Sequence, residues 1–280
     1  MLSLFGPKLP IDAEELEFQL ATFKWLIGEF GELGETKLVL PTPEFFPSAK
    51  SRRRVPARLL FDDVQRAAQM QEWPCELREG ESGRESDAGN AHLIRHEGPP
   101  APCGTFSIEE GEGGRVAVIT FDPALENDQQ ALVATFAHEL GHYLMATARG
   151  TPPGGWELHE LHTDLAAVYL GFGIFMANSA WSFGQFQSGG MQGWASRTQG
   201  YLSESALVTA LAIYLRLTGG DPAEATPHIE DYLRKVLSKA DAWLAKHHPD
   251  MAAAVEAVDL DPYGSAIGGV DERDPTSRSG

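Results

Sequence analysis

Apolar and polar positions alternate with two periods along this chain, and the changes of period mark out its elements. Over residues 12–30, Leu16, Leu20, Phe23, Ile27 and Phe30 share one helix face, with Asp12 and Glu15 at capping-box spacing and Gly31 to end the helix. Residues 37–40 form a short strand candidate stopped by Pro41, and 41–47 are a rigid apolar loop whose Phe45 and Phe46 read as core plugs. A helix is predicted over 58–70. Residues 105–110 and 115–121 alternate about Gly111-Glu112-Gly113-Gly114, the pattern of a β-hairpin.

The pattern then changes to the helical period. Leu132, Phe136, Leu140 and Leu144 recur at every fourth position, Val133 and Ala137 lie beside them, and Asn127 with Gln130 has capping-box spacing. A further helix is predicted from near Trp156. The uncharged run 165–196 is apolar as far as about Phe183, and that part reads as a buried helix rather than a membrane span, because Gly171, Gly173, Asn178 and Ser179 interrupt it and no basic residue lies close to either of its ends. Residues 182–200 read as a flexible loop. Helices follow over 201–217, with Leu207, Leu211 and Leu215 on one face, over 227–248, and briefly over 251–258. The stretch 79–102 reads as a long mobile loop over a cleft, and 259–280 as a loose tail. These elements imply an α+β, helix-dominated fold with a small antiparallel sheet before the long central helix. They imply one domain over 1–258, with the hairpin in 1–126 and the helical part in 127–258.

Composition narrows the function. Forty acidic residues against 22 basic give a formal charge of −18, which excludes a nucleic-acid surface and disfavours anionic membranes. The basic residues between Lys50 and Arg58 read as a solvated helix entrance. Two cysteines, Cys75 and Cys103, are too few for a disulfide scaffold. Residues 1–20 carry Asp12, Glu14, Glu15 and Glu17 and no apolar core of signal type, so the expected location is the cytoplasm.

The candidate chemistry lies in His138-Glu139-Leu140-Gly141-His142 and in Glu160-Leu161-His162-Thr163-Asp164. On a helix, residues at positions i and i+4 lie on one face, so His138 and His142 can converge on one metal ion roughly opposite the apolar stripe. Glu139 is turned by about 100° from His138, off the metal and beside a water the metal would hold. Gly141 would let another backbone approach closely. In the second segment one carboxylate can complete the coordination, and the other can accept a ligand histidine's free ring N–H. Glu160 is the favoured third ligand, with Glu157, His159 and His162 as alternatives; His92 and His96 read as surface histidines.

An HExxH motif followed by ExxxD resembles the gluzincins, the thermolysin-like zinc metallopeptidases, over residues 134–168. The resemblance implies zinc on His138, His142 and Glu160, Glu139 as general base, and Asp164 supporting His138. It also implies a zincin-like core and an edge strand, here the hairpin, that pairs with an extended peptide or protein substrate. Thermolysin-like enzymes steady the oxyanion with a Tyr or His; Tyr201 is the foremost candidate here, ahead of Tyr143 and His228. The contrasting reading is a zinc-stabilised binding or regulatory module that no longer turns over.

Overall fold

A computed structural model describes residues 8–50, 54–80, 103–111, 114–185 and 201–268. The predicted rim loop with His92 and His96, most of the loop 182–200, part of the basic segment (51–53) and the tail from 269 onward lie outside these residues. The fold is α+β and helix-dominated, with one small sheet.

Helix α1 spans Ala13–Phe30, and Asp12 caps it by accepting the Glu15 N–H at 2.8 Å. Gly31 follows at φ 106°, a backbone region that favours glycine. Helix α2 is Ala57–Ala67. Strands β1 (Cys75–Glu79), β2 (Gly104–Gly111) and β3 (Gly114–Phe121) make a sheet of order β1-β3-β2, in which β2 pairs antiparallel and β1 parallel to β3. The sheet is therefore mixed, not antiparallel as expected. Strand β1 is only five residues long and carries Glu76 and Arg78 outward, where Arg78 clamps Glu76 and Glu109. Cys75 and Leu77 alternate with these towards the core, but two apolar positions are too short a pattern to mark a strand without its pairing to β3.

Helix α3, Gln129–Met145, carries the first motif and runs through the middle of the molecule, buried almost all round. Phe136 on α3 packs edge-on against Phe61 of α2 at 5.1 Å and Phe121 of β3 at 5.5 Å. Its cap is Asp128, which accepts the Ala131 N–H at 3.0 Å, and not Asn127. Asn127 instead closes the preceding 3-10 turn, Pro123–Asn127, by bonding the Ala124 carbonyl.

Helix α4, His159–Ala167, runs into a π-helical turn, Val168–Phe172, and then into α5, Gly173–Gln185. Gly171 sits at φ 98° within that turn, and its carbonyl accepts the Val39 N–H at 3.0 Å. Residues 37–40 are thus not a strand. They are a segment docked on the helix interruption through Val39. Phe46 is buried against Phe175, 5.5 Å between rings.

Helix α6, Glu204–Thr218, is buried from Ala206 to Leu215 and packs between α5 and the amphipathic α8, Asp231–His247, after the short α7, Pro222–Ala225. Helix α9 is Met251–Glu256. Residues 259–268, expected as loose tail, are fastened. Thr151 and Ala266 exchange backbone hydrogen bonds, Trp25 Nε1 donates to the Ala266 carbonyl at 3.1 Å, and the Gly268 N–H meets Glu29. Among the described residues, no helix is long and apolar enough to cross a membrane.

A Cβ at position 171 would run into the Lys37 carbonyl on a backbone that L-residues avoid. Gly171→Ala is expected to lower unfolding free energy by about 1–3 kcal/mol in urea titration.

Candidate functional site

The site forms where α3 and α4 cross. Gly141 makes the crossing possible: a Cβ there would stand 2.9 Å from the Thr163 carbonyl oxygen and 3.1 Å from its methyl. The close approach brings His138, His142 and Glu160 together, with one ligand atom from each lying within 4.8 Å of the others. Glu160 Oε2 is 3.2 Å from His138 Nε2 and 3.5 Å from His142 Nε2. A tetrahedral ion with bonds of about 2.0–2.1 Å has ligand–ligand edges of about 3.3–3.4 Å. These three side chains could therefore hold a metal ion.

Both imidazoles are oriented by a partner at Nδ1. His138 Nδ1 lies 3.0 Å from Asp164 Oδ1, which can only accept, so Nδ1 carries a proton and Nε2 is the nitrogen that faces Glu160. Asp164 is 1% exposed, and its other oxygen accepts the Leu202 N–H at 2.7 Å, so it also ties down the start of α6. For His142 the same part is played by Thr163. The Thr163 hydroxyl donates to the His159 carbonyl at 2.8 Å, so its oxygen is left to accept from His142 Nδ1, 3.1 Å away. Sequence reasoning missed Thr163, because a threonine beside two motif residues carries no signal until α4 is laid against α3.

Burial opposes charge on His138, but Asp164 and Glu160 outweigh it and push its pKa up to about 10. Against the raising effect of burial, His138 and His142 hold the Glu160 carboxyl well below the usual carboxylate range. A divalent ion would take the place of the proton at Nε2.

Glu139 is 3% exposed, and its Oε2 finds no hydrogen-bond partner among the described residues. Burial pushes its pKa up to about 7, with His138 pulling against this and Glu160 adding to it. Strand β2 starts directly over it, and a Cβ on Gly104 would stand 2.7 Å from Glu139 Oε1. Gly104 is a second residue that sequence reasoning missed. Farther along β2, Phe106 stacks near-parallel to His142 at 6.5 Å and to Tyr143 at 5.4 Å.

Tyr201 lies 5.1 Å from the His138 ring. Burial, followed by Glu160, Asp164 and Glu139, raises its pKa, so it is a neutral phenol able to donate. The alternatives stand apart from it. Tyr143 OH donates to the Pro74 carbonyl, and the His228 carbonyl accepts from Asn178 in the middle of α5.

Of the alternative ligands, Glu157 is exposed and outside the cluster. His162 is fully buried on the opposite face of α4, 3.4 Å from Thr22 Oγ1 and ring-to-ring with Phe18 at 5.1 Å. His159 remains at the rim, its Nε2 3.1 Å from Glu160 Oε1.

No protein-family model, no curated protein and no solved structure matches this chain, so the site must be read from its own geometry.

Removing either imidazole takes a ligand atom away, so His138→Ala and His142→Ala should each abolish metal retention in a chelator-competition titration. Glu160→Ala should lose metal nearly completely, whereas Asp164→Ala and Thr163→Val should weaken affinity by about 10–100-fold. Equal, negligible effects of Glu160→Ala and Asp164→Ala would rule out both roles.

Burial also sets a pH limit. It pushes the His162 pKa from 6.5 down to about 3. The unfolded chain therefore binds a proton there that the folded chain refuses, and stability falls as pH drops from 6.5 towards 3. Between pH 7 and 5, urea unfolding of the wild type should lose about 1–2 kcal/mol more than that of His162→Leu.

Proposed function

We propose that this chain is a zinc-dependent peptidase of the gluzincin kind, built on a zincin-like core, that cleaves peptide or protein substrates in the cytoplasm. The observation that carries the reading is Glu139: a buried carboxyl with an orphaned oxygen, one residue from a metal-capable donor set. Buried polar atoms are nearly always paired, and an unpaired one at such a place marks a group kept for a reacting partner.

His138, His142 and Glu160 would hold the zinc. The ion, when bound, would polarise the scissile carbonyl and make a water acidic enough to attack near neutral pH. Glu139, its pKa raised to about 7, is matched to take a proton from the attacking water and return it to the leaving amine. Asp164 and Thr163 keep both histidines in the ligating tautomer. Tyr201, as a neutral donor beside His138, is suited to steady the oxyanion.

The place for the substrate is β2, which carries no strand on its outer side among the described residues. The Asp122 N–H bonds the Cys103 carbonyl at 3.0 Å, so residue 103 faces β3. The alternation of an antiparallel ladder then turns the backbone groups of Gly104 and Phe106 away from β3, beside Glu139 and His142. Cys75 and Cys103 are free thiols, in keeping with a reducing compartment.

The test pairs zinc content with digestion of a peptide library. Wild type should cleave, and Glu139→Gln should lose about 10²–10⁴-fold in turnover with zinc content and fold intact. Equal cleavage by both would remove Glu139 as the base. Zinc held by both with no cleavage would favour the binding-module reading.

A further inference from the structure

The His159 side chain takes no part in the reading above, yet the residue touches one candidate ligand directly and reaches a second through Thr163. Its backbone carbonyl accepts the Thr163 hydroxyl, and through that hydroxyl it fixes His142. Its ring lies 6.0 Å from the His142 ring and approaches Glu160 with Nε2 at 3.1 Å from Oε1. The two oxygens of Glu160 are thus divided. Oε2 faces His138 and His142, and Oε1 faces His159.

That division matters for coordination. A carboxylate can give a metal one oxygen or two, and two oxygens from Glu160 would fill the position a reacting molecule needs. A ring N–H on Oε1 competes for the second oxygen and keeps the carboxylate turned. We propose that His159 is a positioning residue that holds Glu160 as a one-oxygen ligand and so keeps a coordination position open. The inference rests on the metal-site reading of His138, His142 and Glu160. It concerns the side chain only, since the carbonyl contact survives substitution.

His159 is half-exposed, so its replacement should leave the fold intact, which circular dichroism checks. The probe is Co2+ in place of zinc, with metal affinity from chelator competition and coordination from the visible spectrum and X-ray absorption. Wild type should bind one ion with two imidazoles and low coordination number. His159→Ala should bind it about 10–100-fold more weakly, with a weaker visible spectrum as Glu160 swings to two-oxygen binding. His159→Gln, which returns an N–H at the Nε2 position, should restore both towards wild type.

Unchanged affinity and spectrum in His159→Ala would overturn the proposal. So would equal impairment of the Ala and Gln variants, or the loss of one imidazole from the coordination sphere of His159→Ala, which would make His159 itself a ligand. A wild type that binds no Co2+ or Zn2+ would instead defeat the metal-site reading on which the proposal stands.

Discussion

The crossing of α3 and α4 at Gly141 is the contact on which the candidate site depends. Two helices normally pack about 8–10 Å apart, with side chains between them. Here the missing side chain lets the Thr163 backbone sit against α3. At that separation Asp164 reaches His138 and Thr163 reaches His142, each by a single hydrogen bond. A glycine inside a helix costs about 1 kcal/mol relative to alanine. The cost is offset where the approach allows buried polar groups to satisfy one another, and Asp164 uses both of its oxygens in this way.

The division of labour along α3 follows from the same crossing. One side of the helix meets α2, β3 and the Phe61–Phe136–Phe121 cluster, which fixes its position as a rigid body. The other side presents the histidines to α4 and Glu139 to the start of β2. The histidines and Glu139 therefore sit on a helix buried almost all round, where packing limits how far they can drift.

Much of this was legible in the sequence because the relevant helices are long and strongly periodic. The presence of α1, α3 and α6 follows from apolar spacing, and the bounds of α1 follow from Asp12 and Gly31. The convergence of His138, His142 and Glu160, with Asp164 behind His138, follows from i, i+4 geometry repeated on two helices. The illegible parts share one property: they are defined by a partner distant in sequence. Strand β1 has only Cys75 and Leu77 as an apolar alternation, too short to be read as a strand until β3 offers it a ladder. Residues 37–40 have strand-like residues but lie against Gly171 instead of another strand. The cap of α3 slipped from Asn127 to Asp128 because a 3-10 turn claimed the asparagine first. Thr163 and Gly104 look ordinary in the sequence and acquire their roles only through what lies across from them.

The fastening of residues 259–268 bears on the order in which the chain assembles. Trp25 meets Ala266 across 241 residues of sequence, and the same residue 266 pairs with Thr151, in the loop that delivers the chain to α4. Contacts between distant residues form late, after the entropy of closing the intervening chain has been overcome. On a ribosome the segment that secures the loop before α4 emerges long after α3 and α4 themselves. The two motif helices can thus meet early through Gly141, while the loop that leads into Glu160 is locked only once nearly the whole described chain has been made. A nascent chain would carry its donor atoms in rough proximity before it carries them in register, and the site would be among the last parts of the molecule to mature.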